Sequence, residues 1–302
     1  MITRPPSRAG TPYPRDRYVL VTAARNEEQY IEKTIQAIIN QTILPREWVI
    51  VSDGSTDATD QIVRRYGEQY GFIKLLRKEK AEGGSGFASK VQAIRKGVRY
   101  LQSVEFDYIG HLDADITLGE EYYSLILHKF KENPQLGIAG GFIYEKANGR
   151  FKSRPLNVKW SVAGGIQLFR RQCYLDIGGL QPLKLGGEDW HAETMARMRG
   201  WQVESFPEVP AYHHKPSSKK RGFVKECIRE GAMDYALGTH PLFEIIKSAR
   251  RVLQKPYVIY ATIRFFGFIL SYINRRKRPV TDEFKSFLRT TQIERLKKQF
   301  IR

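Results

Sequence analysis

The chain has 302 residues and a hydrophobic content of 41%, enough for one large domain with a buried core or for a domain with an appendage. Its formal net charge of +18 indicates an anionic partner, such as nucleic acid, an anionic membrane surface or an anionic substrate. The two cysteines, Cys173 and Cys227, form no Cys-x-x-Cys motif, which excludes that class of metal or redox site and favours a reducing cytosol.

Strand and helix patterns alternate along the first third of the chain, after a Pro- and Arg-rich stretch, residues 1–16, that we expect to form a loose arm. Apolar runs predict strands over residues 18–24, 48–52, 72–76 and 106–112. Apolar side chains at helical spacing predict a helix after each of the first three strands, and a glycine-rich loop at 83–86 precedes the third helix. This alternation indicates a mostly parallel sheet covered by helices.

Two carboxylates, Asp113 and Asp115, follow the fourth predicted strand. In extended backbone, side chains two residues apart point to the same side, so these carboxylates would repel each other unless a cation lay between them. Mg²⁺ and Mn²⁺ take oxygen ligands and usually also hold a substrate phosphate. Because ligands of open α/β sheets gather at the carboxyl ends of strands, the pair predicts a metal–diphosphate site, with a solvated turn as the alternative.

The second half of the chain alternates less regularly. We predict a helix over 122–130, a strand over 136–144, a polar irregular stretch over 146–160 and a glycine-led strand over 163–169. A glycine pair at 186–187 opens a helix that ends near Arg199, and a last short strand covers 202–206. The composition shifts near residue 216, where a basic segment begins that contains Lys219, Lys220, Arg221, Lys225 and Arg229.

Five short motifs occur in one order along the chain. They are Val-Thr-Ala-Ala-Arg-Asn-Glu-Glu at 21–28, Val-Ser-Asp-Gly-Ser-Thr-Asp at 51–57, Lys-x-x-Ala-x-Arg-x-Gly at 90–97, Leu-Asp-Ala-Asp at 112–115 and Gly-Glu-Asp-Trp at 187–190. In this order, over about residues 16–215, they resemble the family 2 glycosyltransferases of the GT-A type. The C-terminal region, including residues 287–292, resembles the tails of exopolysaccharide-type members. The resemblance implies a GT-A α/β fold, with a mostly parallel central sheet flanked by helices and a helical, basic C-terminal extension.

The resemblance also implies a binding site for a nucleotide-diphosphate sugar, with a UDP-sugar as the expected donor. Asp53 is expected to accept hydrogen bonds from the uracil or the ribose, although Asp-Gly is also a common turn pair. Ala23, Arg25 and Glu27 are expected to line the nucleoside pocket; family members often have Pro and Tyr where Ala23 and Arg25 stand. Lys90 would reach the diphosphate as a point charge, or would be a solvated helix lysine.

The same resemblance implies a bound Mg²⁺ or Mn²⁺ ion. Asp115 is expected to ligate it, and Asp113 to bind either the ion or the donor ribose. A late histidine often completes the metal shell in such enzymes; His213 and His214 both fit that place, and of the two we prefer His214. Gly165 would let backbone approach the donor closely, or would be a structural glycine at a strand start.

The acceptor side is implied by the Glu-Asp motif. Asp189 is expected to be the general base that removes the proton of the attacking hydroxyl, Glu188 to orient the acceptor and Trp190 to bind it. The metal would stabilise the charge that develops on the departing diphosphate, and direct displacement with one base would invert the anomeric carbon. The structural alternative is that both carboxylates only favour the dipole at a helix start.

We expect three regions: the arm at 1–16, a GT-A domain at 17–215 and a helical, basic region at 216–302. Within the last, residues 257–273 are apolar except for Arg264 and are shorter than the roughly 20 residues of a spanning helix. Basic residues at Lys255 and at 275–278 flank this run and favour an interfacial helix or a packed hairpin on an anionic leaflet, with an ordinary core helix as the alternative. We therefore expect a cytoplasmic protein, peripheral at the inner face of the cell membrane, whose acceptor is a glycan or a lipid-linked glycan.

Two rival functions remain from the sequence. One is a catalytically inactive GT-A scaffold, and the other is a basic protein that binds nucleic acid or a membrane surface. The sequence contains no helix-turn-helix, zinc-finger or RNP-like motif, so nothing beyond charge and aromatic content favours nucleic acid.

Overall fold

The computed structural model describes residues 17–78, 86–147, 149–215, 222–251 and 257–300. Several sequence predictions fall outside these ranges: the arm at 1–16, the loop residues 83–85, the basic residues 219–221 and Lys255.

The first half of the chain alternates strand and helix as expected. Its elements are β1 (Tyr18–Ala24), α1 (Ile31–Ile39), β2 (Glu47–Asp53), α2 (Thr59–Gln69), β3 (Ile73–Lys78), α3 (Phe87–Tyr100) and β4 (Tyr108–His111). β1 pairs in parallel with β2 and β4, and β2 pairs in parallel with β3. Helices cover parallel strands on both faces, which explains why β1 and β2 are continuous apolar runs with almost no exposed side chain.

The second half completes the same sheet with mixed pairing. Its elements are β5 (Ile116–Leu118), α4 (Tyr122–Glu132), β6 (Leu136–Ala147), β7 (Arg150–Ser153), β8 (Leu168–Arg170), α5 (Arg171–Asp176), α6 (Glu188–Met198) and β9 (Gln202–His213). Within the described ranges the strand order is β3-β2-β1-β4-β8-β6-β9-β5, with β7 on β6. β8 runs antiparallel to β4 and β6, so the parallel arrangement holds for β1 to β4 and again for β6 with β9.

The described residues after 222 form four helices with short connecting turns. The helices are α7 (Phe223–Ala236), α8 (Pro241–Arg251), α9 (Tyr257–Ile273) and α10 (Asp282–Phe300). None of the helices in the described ranges has both the length and the apolar character needed to cross a bilayer. His191 of α6 stacks on Phe284 of α10 with ring centroids 4.7 Å apart, which anchors the helical region to the sheet-bearing region.

The polar exception in the apolar run, Arg264 of α9, is 1% exposed. Its guanidinium forms ion pairs with Asp234 of α7 and Glu244 of α8, and lies 3.5 Å from the Glu230 carboxylate. Burial lowers the pKa of Arg264 to about 10, and Glu230 opposes that shift. Because a buried guanidinium is costly without carboxylate partners, this cluster accounts for the packing of α9 on α7 and α8.

α7 and α9 also approach each other very closely at two glycines. A Cβ added at Gly231 would overlap the carbonyl oxygen of Arg264 and lie 2.7 Å from the amide nitrogen of Phe268. A Cβ added at Gly267 would overlap the carbonyl oxygen of Ile228. Both obstacles are backbone atoms, so only glycine permits this helix pair.

We expect Gly231→Ala to destabilise the protein by about 1–3 kcal/mol, because the added methyl group must push two helix backbones apart. Thermal unfolding followed by circular dichroism measures the loss. Gly222→Ala is the matched control, since nothing lies within 4 Å of a Cβ at that position. Equal melting temperatures for the two variants would contradict the close packing of α7 on α9.

Candidate functional site

The turns that follow β1 and β2 are joined by hydrogen bonds. Asn26 has a positive φ of 53°, a conformation in which its backbone amide reaches Ser55 Oγ at 3.2 Å. The Asn26 side-chain oxygen accepts from the Thr56 amide at 2.9 Å, and the Glu27 amide donates to Thr59 Oγ1 at 2.8 Å. Both turns lie at the carboxyl edge of the parallel strands, where ligands of such sheets bind.

Asp53, the last residue of β2, is only 5% exposed and has two partners. Lys78 Nζ donates to one carboxylate oxygen at 2.7 Å, and Ser89 Oγ donates to the other at 2.5 Å. Neither Lys78 nor Ser89 was among the residues predicted from the sequence. The register would have indicated Lys78, because it is the residue that β3 sets beside Asp53.

The residue after Ser89, Lys90, reaches the Asp-x-Asp motif. Its ammonium lies 2.6 Å from Asp113 Oδ1. Burial alone would lower the pKa of Lys90, but Asp113, Glu188 and Asp115 together raise it above its ordinary value. The first turn of α3 therefore contacts the β2 carboxylate and the Asp-x-Asp motif through consecutive side chains.

The sequence predicted that the Asp-x-Asp motif lies in extended backbone. The structure instead places it in a turn. β4 ends at His111, and Asp113 and Asp115 occupy the turn before β5. The two carboxylates consequently have different partners: Asp113 pairs with Lys90, whereas Asp115 Oδ2 lies 3.2 Å from His213 Nε2.

His213, rather than the expected His214, is the histidine beside Asp115. His214 Nε2 lies 2.8 Å from Thr117 Oγ1, and its ring packs edge-on against Phe151. Consecutive side chains at a strand end point to opposite sides, so only one of the two can face the motif. Burial would raise the pKa of Asp115, but the hydrogen bond to His213 and the nearby lysines lower it.

Asp189 lies close to the Asp-x-Asp motif, because the carboxylates of Asp189 and Asp113 border two adjacent glycines. A Cβ on Gly164 would lie 3.0 Å from Asp189 Oδ2, and a Cβ on Gly165 would lie 2.7 Å from Asp113 Oδ2. The Gly165 carbonyl also accepts from the Asp113 amide at 2.9 Å. Any larger side chain at either glycine would displace one of the two carboxylates.

The start of α6 depends on a second glycine pair. Gly186 and Gly187 both have φ of 85°, a left-handed conformation that β-carbons disfavour. α6 then begins at Glu188, and Asp189 Oδ1 accepts from the amide of Trp190 at 2.8 Å. Burial and the neighbouring Asp189 raise the pKa of Glu188 to about 7, and Lys90 opposes that shift.

A buried carboxylate one turn further along α6, Glu193, was missed by the sequence analysis. It is 1% exposed, and its Oε1 accepts from the Val162 amide at 2.7 Å and from Ser161 Oγ at 3.1 Å. Burial raises the pKa of Glu193 to about 7, while Arg197 opposes the shift. Glu193 thus holds the segment that leads into Gly164, a role that no local pattern in the sequence signals.

The residues expected to line the nucleoside pocket lie at the end of β1 and in the turn after it. Ala23 and Arg25 are both partly exposed at the end of that strand. The Glu27 carboxylate forms an ion pair with Lys215, which follows the histidine pair by one residue, so the first and the last parts of the site are joined by this contact.

No group of three or more His, Cys, Asp or Glu side chains suited to a metal ion occurs in the part of the chain that the structure describes. Asp115 and His213 form a two-residue oxygen–nitrogen pair. Such a pair suits Mg²⁺ or Mn²⁺ when a substrate diphosphate supplies further oxygens, since these ions are usually bound through one or two carboxylates and phosphate.

Two family profiles match this chain. The one described as "Glycosyl transferase family 2" matches residues 19–186, and the one described as "Glycosyltransferase like family 2" matches residues 143–232. The poly-beta-1,6-N-acetyl-D-glucosamine synthase of Staphylococcus aureus strain COL is 27% identical over 246 residues, or 76% of this chain. The chain spans 57% of the length of that relative, and 30% of the similar synthase of Staphylococcus epidermidis, which is 26% identical over 145 residues.

Two solved structures share the fold with a TM-score of 0.58 each. The mannosyltransferase PcManGT from Pyrobaculum calidifontis, in complex with GDP-Man and Mn²⁺, is 18% identical, with 91% of this chain and 92% of that chain covered. GalNAc-T7 with UDP, GalNAc and Mn²⁺ is 15% identical, with 90% and 56% covered. These likenesses confirm the expected GT-A fold.

Proposed function

The chain belongs to glycosyl transferase family 2, and on that premise we propose that it transfers a sugar from a nucleotide-diphosphate donor, expected to be a UDP-sugar, to a hydroxyl group of a glycan or lipid-linked glycan. The observation that carries the proposal is that Asp113 and Asp189 border adjacent glycines, with carboxylate oxygens 2.7 Å and 3.0 Å from where a β-carbon would stand. It brings a donor-side carboxylate and a candidate base within reach of one substrate. The names of the staphylococcal relatives support an exopolysaccharide role.

The donor would lie along the carboxyl edge of β1, β2 and β4. Asp53, held by Lys78 and Ser89, would bind the nucleoside, with Ala23, Arg25 and Glu27 around it. Lys90 would pair with the diphosphate in addition to Asp113, since an ammonium carries three donors. Gly165 leaves room for the Asp113 carboxylate, beside which the donor sugar would lie.

The residues present fit a divalent cation, and we infer that Asp115 and His213 would hold Mg²⁺ or Mn²⁺. This assignment replaces His214 by its neighbour, because the His213 ring faces Asp115. The Mn²⁺ named with both structural neighbours supports the inference. The ion, when bound, would supply electrostatic stabilisation of the charge on the departing diphosphate.

Asp189 would act as the general base. Its carboxylate borders Gly164, and its Oδ1 already accepts from the Trp190 amide, which fixes its orientation. The acceptor hydroxyl would attack the anomeric carbon as its proton passes to Asp189 and as the bond from that carbon to the diphosphate oxygen breaks, with inversion and release of the nucleoside diphosphate. Asp189 raises the pKa of Glu188 and Lys90 lowers it, so the Glu188 carboxylate lies near both groups. Glu188 would orient the acceptor, and the Trp190 ring would pack on the acceptor.

The outer face of α9 supports contact with an anionic membrane surface. Apolar side chains on this face are more than half exposed: Val258, Ile259, Phe266 and Ile273. The exposed cations Arg275, Arg276 and Lys277 follow directly at the end of the helix. An apolar helix face beside basic residues is the pattern that binds anionic leaflets without crossing them, so we propose a peripheral location at a membrane.

A UDP-sugar panel with Mg²⁺ or Mn²⁺ tests the proposed activity, read as release of UDP. We expect Asp189→Asn to lower turnover by at least about 100-fold, because the amide cannot accept the proton, while donor affinity stays unchanged. Asp282→Asn, at an almost fully exposed carboxylate at the start of α10, is the control and should keep wild-type turnover. Wild-type turnover by Asp189→Asn would refute the base. An inactive scaffold or a nucleic-acid binder would release no UDP from any donor.

Removal of each histidine separates the two metal assignments. We expect His213→Ala to weaken Mn²⁺ binding in the presence of UDP by about tenfold or more, since a ligand is lost. His214→Ala should change it less than twofold. Electron paramagnetic resonance of free Mn²⁺ gives both dissociation constants. The opposite order would restore His214 as the ligand, and two unchanged constants would remove both.

Flotation with phosphatidylserine-containing vesicles tests the membrane surface. At low salt we expect the protein to float with the vesicles, and Phe266→Glu to reduce the bound fraction severalfold, because a carboxylate then enters both the apolar face and a negative surface potential. Leu125→Glu is the control, at a leucine of α4 that is 43% exposed. No flotation of the wild-type protein at low salt would remove the proposal.

A further inference from the structure

A cavity of about 320 Å³ lies between α6 and the C-terminal helices. This volume is at the lower end of the range of ligand pockets, roughly 300–1,000 Å³. Most of its wall is aromatic or aliphatic, and the apolar lining residues are Trp160, Trp190, Met233, Leu237, Phe243, Phe287 and Leu288. The described residues that line it include none of those assigned above to the donor site, so the cavity is a separate space.

The cavity adjoins the proposed base. Trp190, Thr194 and Arg197 line it and recur at helical spacing, so they form one face of α6. Trp190 follows Asp189 directly and stands edge-on to Trp160, with ring centroids 5.8 Å apart. A wall residue of the cavity and the proposed base are therefore consecutive residues at the start of α6.

The charged residues of the lining are mostly cations. They are Arg197, Lys247 and Arg295, against one carboxylate, Asp234. Arg197 pairs with Glu193 and Lys247 pairs with Asp234, so Arg295 is the lining cation that has no carboxylate partner among the described residues. The Arg295 guanidinium lies over the Trp160 ring at 4.2 Å, and burial together with Arg197 lowers its pKa. An anionic group near Arg295 would relieve the repulsion between the two guanidinium groups. Apolar walls and surplus positive charge together match a ligand that has a hydrocarbon chain and an anionic group.

We propose that this cavity binds the hydrocarbon chain of an anionic amphiphile that carries the acceptor hydroxyl. The acceptor role of this molecule rests on the function proposed above. The hydrocarbon chain would anchor the molecule whose hydroxyl Asp189 deprotonates. The sugar would then lie on the Gly164 side of Trp190, and the anionic link would lie near Arg295. Thr291 of α10 also lines the space.

Alkyl phosphates of four, six and eight carbons, together with octyl β-glucoside, are the probes, each kept below its micelle concentration. They are titrated into the full chain without donor, and binding is measured by isothermal titration calorimetry and by tryptophan emission. We expect one saturable site that tightens by up to about fourfold per methylene until the cavity is filled. Octyl phosphate should bind more tightly than octyl β-glucoside, and Arg295→Gln should remove that difference.

Two threonine variants locate the binding site. Both Thr291 and Thr262 lie on helices, and each Oγ1 donates to the carbonyl four residues earlier. We expect Thr291→Phe, which fills the cavity, to weaken octyl phosphate binding at least tenfold. Thr262→Phe, on the exposed face of α9, should leave it within twofold. Phe243→Trp, at a partly exposed wall position, gives a second filling variant should Thr291→Phe not fold.

The outcomes separate this inference from the proposed function. Binding that ignores chain length, or that falls equally in both threonine variants, overturns the cavity assignment even if UDP is released from a donor. Chain-dependent binding without UDP release from any donor overturns the transferase proposal and, with it, the acceptor role of the bound amphiphile. If both hold, Thr291→Phe should raise the KM of an alkyl-linked acceptor and leave the KM of the donor unchanged.

Discussion

The ion pair between Lys90 and Asp113 is the interaction on which the site depends. Asp113, Asp115 and Glu188 all raise the pKa of Lys90, so all three carboxylates lie close enough to interact electrostatically with its ammonium group. Without it, their mutual repulsion would oppose the approach of α6 to the Asp-x-Asp turn. Ser89, the preceding residue, holds Asp53, and the first turn of α3 thereby ties the carboxyl edge of the parallel strands to the start of α6.

Charge compensation by Lys90 does not by itself bring the carboxylates of Asp113 and Asp189 close together; two glycines in the backbone between them also make this possible. Gly164 and Gly165 leave room for Asp189 on one side and Asp113 on the other, and Glu193 holds the segment that leads into them. The glycines allow the two carboxylates to lie close together, and the positive charge of Lys90 offsets the repulsion among the carboxylates. The proposed displacement needs this spacing, because proximity of a base to the reacting carbon is a large part of catalysis in such reactions.

The C-terminal helices have two chemically different faces. Inside, Arg264 and its carboxylate partners join α7, α8 and α9, so the charge in the apolar run serves helix packing. Outside, α9 exposes apolar side chains next to basic ones. The stacking of His191 on Phe284 links these helices to α6, and the cavity beside Trp190 lies at this junction. A surface suited to a leaflet and a space suited to a hydrocarbon chain thus belong to one helical region.

The sequence by itself determined the alternation of β1 to β4 with their helices, the bounds of α9 and the order of motifs, because apolar periodicity and short motifs are local. Only the tertiary structure decided that β8 runs antiparallel to its neighbours in the sheet. The same holds for the turn in which Asp113 and Asp115 have separate partners, and for the position of His213 beside Asp115. Lys78 and Glu193 likewise acquire their roles from neighbours distant along the chain. Contacts between such segments depend on strand register and helix docking, and no periodicity within one segment encodes them.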